Sequence, residues 1–416
     1  MFLCFDVSML TGPLGSAFGK RYGARPVVMV GGILASLGMF VASFGQSLLH
    51  LYLSIGLLTG LGWALVFTPT MAMISRYFDK RRALATGLAF TGVGIASFFF
   101  SPLFRLLIDA YTWRGALRVL SAILLNLCVC AALLRPIRLL EDLPAPGLAD
   151  KASGCWEKVT SALDLGLLRQ RAFMVYTLAL TLMTTGYFVP YVHLVAHGKN
   201  LGFTDYEAAL ILSLTSIPDT VARMFSGWLS DLKLVRSIHL LFLWSVLSGI
   251  SLFLLPLGRT FPTLMAAGLF YGLCAGGLSP LFFSTLPDIV GVGRILNATG
   301  LFLMLLSVGG LLGPPLSGLL EDRTGSYNTS FMVSGGFNLA GSLALLLLPG
   351  FFARSSTASG QRPGATASRR HGAPRDAQEN DQSRAHQPEA GAGQRHQLGN
   401  RTDRFWKAAG KLPAAR

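Results

Sequence analysis

Residues 206–230 read YEAALILSLTSIPDTVARMFSGWLS. The stretch follows a polar turn and is mostly Leu, Ile, Ala, Val and small residues, long enough for a hydrocarbon core that asks for about 20 residues of helix. Near its middle stand Asp219 and Arg223. A carboxylate and a guanidinium at that depth are costly, so they are expected to face a partner or a water-filled cavity. Four residues apart on a helix, they share one face and can neutralise each other. The pattern predicts the polar heart of a transporter. The competing reading is an ion pair that only braces a helix bundle.

The rest of the chain agrees with a membrane setting. It is 52% apolar and only 13% charged over 416 residues. Apolar runs of roughly 18 to 25 residues recur almost end to end, the length a bilayer demands. They fall at 1–18, 26–44, 50–74, 83–108, 115–134, 172–196, 206–230, 237–256, 262–290, 296–320 and 329–351. The expectation is an all-α membrane protein with about eleven transmembrane helices. Cys4, Cys128, Cys130, Cys155 and Cys274 lie mostly in apolar runs and suggest no disulfide framework. No phosphate-binding loop and no Cys/His cluster with metal spacing occurs, so neither an enzyme nor a cofactor or metal is expected.

Charge placement carries more than the net +15. The tail 352–416 holds 12 Lys/Arg and 5 Asp/Glu, and most of the remaining excess sits in alternate short loops. One set of loops carries Lys20, Arg21 and Arg25, then Arg76, Lys80, Arg81 and Arg82, then Lys233, Arg236 and Arg294. The other set is sparse, with no charge in 45–49 and single cations at Lys199, Arg259 and Arg323. The positive-inside rule places the first set and the C-terminal tail in the cytoplasm, and the first residue outside. This distribution argues for a lipid bilayer as partner and against nucleic acid. Met1 opens directly into an apolar span without a basic region or cleavage site, a poor signal peptide. One upstream helix is therefore expected to be missing from twelve. The division is then an N-terminal helical half 1–134, a cytoplasmic linker 135–171, a C-terminal six-helix half 172–351, and a disordered basic tail 352–416.

The halves echo each other. Ser16-Ala17-Phe18-Gly19-Lys20-Arg21-Tyr22-Gly23-Ala24-Arg25 follows the first span, and Gly227-Trp228-Leu229-Ser230-Asp231-Leu232-Lys233 ends the charge-bearing one. Both resemble the G-x-x-x-D-[RK]-x-G-[RK]-[RK] loop of the major facilitator superfamily, which implies a conformational role for Lys20, Arg21, Gly23, Arg25 and Asp231. Ser16 and Lys20 replace the glycine and the acid of the first copy. The second copy lacks its later glycine.

Further motifs resemble one branch of that superfamily, the monocarboxylate transporters. Arg76-Tyr77-Phe78-Asp79-Lys80-Arg81-Arg82-Ala83-Leu84-Ala85-Thr86-Gly87-Leu88-Ala89 is similar to their YFxKRRxLAxGLA signature. Trp113-Arg114-Gly115, Leu133-Leu134-Arg135-Pro136 and the run Gly309 to Gly318 (GGLLGPPLSG) match three more. Asp219-Thr220-Val221-Ala222-Arg223 matches the family's D-x-x-x-R. The resemblance spans about residues 8 to 350, and the surroundings of Trp63 and Tyr191 to His197 look closest to the family's members eleven and thirteen. It implies the major facilitator fold and proton-coupled symport of lactate- or pyruvate-like monocarboxylates at the plasma membrane. Asp219 would carry the proton and Arg223 would hold the substrate carboxylate. Several members travel with a single-span immunoglobulin-like accessory glycoprotein, which becomes a candidate partner. The family's D-G-G-W-G-W-type opening helix is absent, Ser284 replaces an acid that some members carry, and the tail shows no likeness. Two alternatives stay open: a truncated form that acts only through membrane-protein association, and proton-independent transport of another small organic solute.

Other polar residues have plainer readings. Arg105 and Asp109, near an outer helix end, read as a snorkelling pair. Asp6 reads equally as exposed or as part of a pathway. His193 and His197 are expected to make interfacial hydrogen bonds rather than to sense pH. Pro218 reads equally as a packing kink or as a local opening of the helix beside Asp219.

Overall fold

The computed structural model describes residues 2–135 and 164–348. Expectations for most of the linker, for the basic tail and for Cys155 lie outside the described residues, as does the side chain of Arg105 in its pair with Asp109.

Every regular element among the described residues is helical. The chain begins with α1 (Phe2–Leu10) and α2 (Gly12–Tyr22), joined at Thr11. Pro13 falls in the first turn of α2, where a missing backbone N–H costs nothing. Gly23 ends α2 with φ 88°, a conformation that favours glycine, and the chain turns into α3 (Ala24–Ala42). The next pass opens with α4 (Leu48–Leu51), capped by the Ser47 side chain, then runs through a π-helical stretch Tyr52–Thr59 into α5 (Gly60–Tyr77). In α6 (Arg82–Leu124), Thr112 has φ 62° and ψ 170°, a strained backbone for a β-branched residue. It divides the helix into two arms, and α7 (Asn126–Leu133) extends the second.

The second stretch holds α8 (Arg171–Tyr187), α9 (Val189–Asn200), α10 (Asp205–Asp231) and α11 (Ser237–Leu254). After these come α12 (Phe261–Ser284), α13 (Leu286–Val290), α14 (Ile295–Thr324) and α15 (Tyr327–Leu345). The start of α10 is set by a capping box: the Thr204 hydroxyl takes the Glu207 N–H at 3.2 Å, and Glu207 takes the Thr204 N–H at 2.9 Å.

Among the described residues, eight stretches are long and apolar enough to cross a bilayer: Ala24–Ala42, Leu48–Tyr77, Leu106–Leu133, Arg171–Asn200, Asp205–Asp231, Ser237–Leu257, Phe261–Val290 and Ile295–Thr324. The other three expected passes are helical too: α1 with α2, the first arm of α6, and α15. Many large apolar side chains point outward, among them Val30, Ile33, Leu37, Leu243 and Leu343. Such a surface would be a liability in water but matches lipid.

Packing uses what a membrane allows, which is close approach and interhelical hydrogen bonds. Phe173, Tyr176, Leu180 and Met183 of α8 are fully buried, and this helix packs against α14 and α15. A polar seam joins α11 to α15, with Ser342 Oγ donating to Ser245 Oγ at 2.8 Å and Asn338 Nδ2 to Ser248 Oγ at 3.3 Å. Two long crossings connect the early and late helices. α2 lies on α14, and α10 lies between the first arm of α6 and α12. That second crossing positions the site.

Candidate functional site

Asp219 and Arg223 are buried, at 4% and 8% exposure. Arg223 grips a single carboxylate oxygen twice: Nε donates to Asp219 Oδ2 at 3.1 Å and Nη2 does so at 2.8 Å. The helix is unbroken across Pro218, so the pair rests on a continuous turn rather than on a local opening. Neighbouring helices come in close around it. A Cβ at Gly276 of α12 would fall on the Asp219 carbonyl, and one at Gly87 of α6 would fall on the Arg223 carbonyl, so only glycine admits these approaches.

Aromatic residues surround the ion pair. The Tyr191 hydroxyl of α9 donates to Asp219 Oδ1 at 3.3 Å. Its ring lies 5.6 Å from those of Tyr187 and Tyr271, and Tyr271 donates its hydroxyl to the Tyr187 carbonyl. On the other side Arg223 Cζ sits 5.9 Å over the Phe90 ring, while Nη1 donates to the Phe90 carbonyl at 3.4 Å. Phe90 stacks on Phe283 at 5.5 Å, and Phe67, Phe302 and Tyr176 extend the cluster. Rings from α5, α6, α8, α12 and α14 thus meet between the pair and the basic-loop end of the bundle. Sequence reasoning named none of these rings as site residues. The spacing of Tyr187 and Tyr191 was a weak local signal, and Phe90 and Phe283 had none.

The loop motif divides. Asp231 is anchored: its two oxygens accept the backbone N–H groups of Ala83 at 3.1 Å and Leu84 at 2.7 Å, at the start of α6. An anion there satisfies orphan donors and opposes the helix dipole favourably. Nearby, Arg82 reaches Asp288 at 3.3 Å and Asp79 at 3.5 Å. Lys20, Arg21 and Arg25 are exposed, with Arg21 over the ring of Tyr22. Lys20 stands where the motif calls for an acid, so the first copy brings no carboxylate to α14. The structure brings none of these three to the buried pair.

Of the plainer candidates, Asp6 is buried at 5% exposure, its Oδ1 directed at Gly310 of α14, which answers the open choice against exposure. His193 Nε2 lies 3.3 Å from the Pro314 carbonyl and its ring stacks on Tyr327 at 5.2 Å. His197 is buried edge-on to Phe331. Ser284 is buried with no hydrogen-bond partner for its Oγ. Among the described residues no group of His, Cys, Asp and Glu could hold a metal ion.

The profile of the Major Facilitator Superfamily matches residues 1–238 and 177–408. Monocarboxylate transporter 13 of Rattus norvegicus is 53% identical over 346 residues, which cover 83% of this chain and 78% of the relative. Monocarboxylate transporter 11 of Homo sapiens is 47% identical over 354 residues, covering 83% and 73%. The solved structure of the E. coli fucose:proton symporter FucP superimposes with a TM-score of 0.66 at 16% identity, covering 83% of this chain and 89% of that one. At that identity the likeness bears on fold alone.

Proposed function

This chain belongs to the monocarboxylate transporter family of the major facilitator superfamily, and on that premise we propose that it carries small monocarboxylates, of the lactate or pyruvate kind, together with a proton by alternating access. The observation that carries the proposal is the buried Asp219–Arg223 pair, closed on itself through a single carboxylate oxygen. In the empty site Asp219 neutralises Arg223. A proton on Asp219 removes that charge and frees the guanidinium, whose paired N–H donors fit a substrate carboxylate. Proton and anion then load together, and the loaded site is no more charged than the empty one. That balance is what crossing a low-dielectric interior requires.

Alternating access needs contacts that hold one end closed and can be exchanged. The Asp231 anchor on α6, the Arg82–Asp288 contact and the Phe67–Phe90–Phe283–Phe302 cluster support such a closure at the basic-loop end. The concentration of Lys and Arg in those loops supports a cytoplasmic orientation for that end and for the C-terminus. The plasma membrane is the proposed location, by the family's habit.

The test is uptake of labelled pyruvate into proteoliposomes holding this chain, with and without an inward proton gradient. Gradient-stimulated uptake that is lost in Asp219→Asn and Arg223→Ala is expected. Uptake indifferent to the gradient would sink the coupling, and no uptake by well-folded protein would sink pyruvate as a substrate.

A further inference from the structure

The two oxygens of Asp219 are held differently. Among the described residues, Oδ2 takes two Arg223 donors, whereas Oδ1 takes the Tyr191 hydroxyl. An arriving proton therefore finds its open position on Oδ1. Among the described residues, the titratable groups facing this carboxylate are Arg223 on its own helix, Tyr191 of α9, Tyr187 of α8 and Tyr271 of α12. The first arm of α6 offers only the ring and carbonyl of Phe90.

The geometry points to Tyr191 as a positioning residue for coupling: its hydroxyl, donated to Oδ1, holds Asp219 in the charged, Arg223-bound form until a proton lands on that same oxygen. This rests on the reading of Asp219 as the proton-coupling carboxylate. The step balances simply. A hydronium ion gives its proton to Oδ1 and leaves as water, one O–H bond forms, and the Tyr191 hydroxyl turns from donor to acceptor. The reverse step discharges the proton on the far side. The hydroxyl also meets the Tyr187 side chain, and the ring contacts with Tyr187 and Tyr271 remain when the hydroxyl is removed. A donor to the charged form favours that form, so its loss makes protonation easier and release slower. The 3.3 Å separation exceeds the usual hydroxyl–oxygen distance of about 2.7–2.8 Å, which puts the effect at the low end for a bond to a charged group.

The test is the pH profile of pyruvate uptake by the full chain in proteoliposomes. In Tyr191→Phe the midpoint is expected to move to more alkaline pH by about one unit, a tenfold change in proton concentration. The maximal rate should fall, while KM for pyruvate at saturating proton stays the same. 3-Fluorotyrosine at position 191 keeps the shape with a stronger donor, so its midpoint should move to more acidic pH. Tyr271→Phe, whose hydroxyl serves a backbone carbonyl, should lower thermal stability and leave the midpoint in place. A pH-responsive wild type with unmoved midpoints in Tyr191→Phe and the fluorotyrosine protein overturns the role of Tyr191 alone. A wild type indifferent to pH overturns the coupling carboxylate and the Tyr191 role with it.

Discussion

Phe90 meets Arg223 twice: its ring lies under the guanidinium, 5.9 Å from Cζ, and its carbonyl accepts Nη1–H at 3.4 Å. The same ring stacks on Phe283 at 5.5 Å. One side chain therefore touches both the charge that would hold a substrate and the aromatic cluster proposed to close the basic-loop end. A desolvated cation–π contact is worth about 2 kcal/mol and an aromatic pair about 0.5–1.5 kcal/mol. Phe90→Leu, which keeps apolar bulk but loses both, should lower thermal stability in detergent by several degrees. It should also speed labelling of a cysteine placed at Ser284, on the same side of the bundle as Phe283. Unchanged labelling would show that the cluster is packing and no gate.

Arg223→Lys preserves the charge but not the two-pronged grip on Oδ2. Lysine is a point charge on a flexible stem. The expected outcome is a rise of at least about tenfold in KM for pyruvate, the loss of roughly one charge-assisted hydrogen bond, with a smaller fall in melting temperature. An unchanged KM would remove Arg223 from substrate binding.

Arg223→Ala leaves a buried carboxylate without its partner. Breaking such a pair costs about 3–5 kcal/mol, and replacing both partners costs far less. Thermal unfolding should therefore rank the double variant Asp219→Asn/Arg223→Gln above Arg223→Ala. The reverse order would mean that the site is wetter than its 4% and 8% exposures imply.

Asp231→Ala removes the acceptor from two N–H groups at the start of α6. Loss of a helix cap costs about 0.5–2 kcal/mol, or up to about thirtyfold in a local opening equilibrium. Hydrogen exchange at residues 83–86 should quicken within that range. Lys20→Ala should leave exchange at the start of α14 unchanged, since position 20 offers that helix no acid.

Ser342→Ala breaks the hydroxyl contact to Ser245 in the α11–α15 seam, far in sequence from the ion pair. Interhelical hydrogen bonds in membranes average about 0.6 kcal/mol. A melting temperature lowered by a degree or two, with normal uptake, is expected. A large loss of uptake would link the seam to the transport cycle.

Much of the fold was legible because a bilayer imposes local rules. Helix length, apolar composition and loop charge are properties of short windows, and the i, i+4 spacing of Asp219 and Arg223 already implied their contact. Thr112 is a different case: the two runs that sequence separates are two helices, as expected, but a single strained residue with φ 62° joins them where a loop was expected. Nothing in the composition of that gap distinguishes such a kink from an ordinary loop.

The sequence by itself determined the helical class, the membrane setting and the buried charge pair, since each follows from hydropathy and spacing within a few turns. Tertiary structure alone decided what meets that pair. Tyr191 reaches Oδ1 because α9 packs on α10, and Phe90 reaches Arg223 from 133 residues away because Gly87 lets α6 approach. Asp231 finds its N–H partners 147 and 148 residues away where Gly227 admits the start of α6. Such contacts depend on which helix faces fit together, and that fit is set by the shapes of whole helices rather than by any local period.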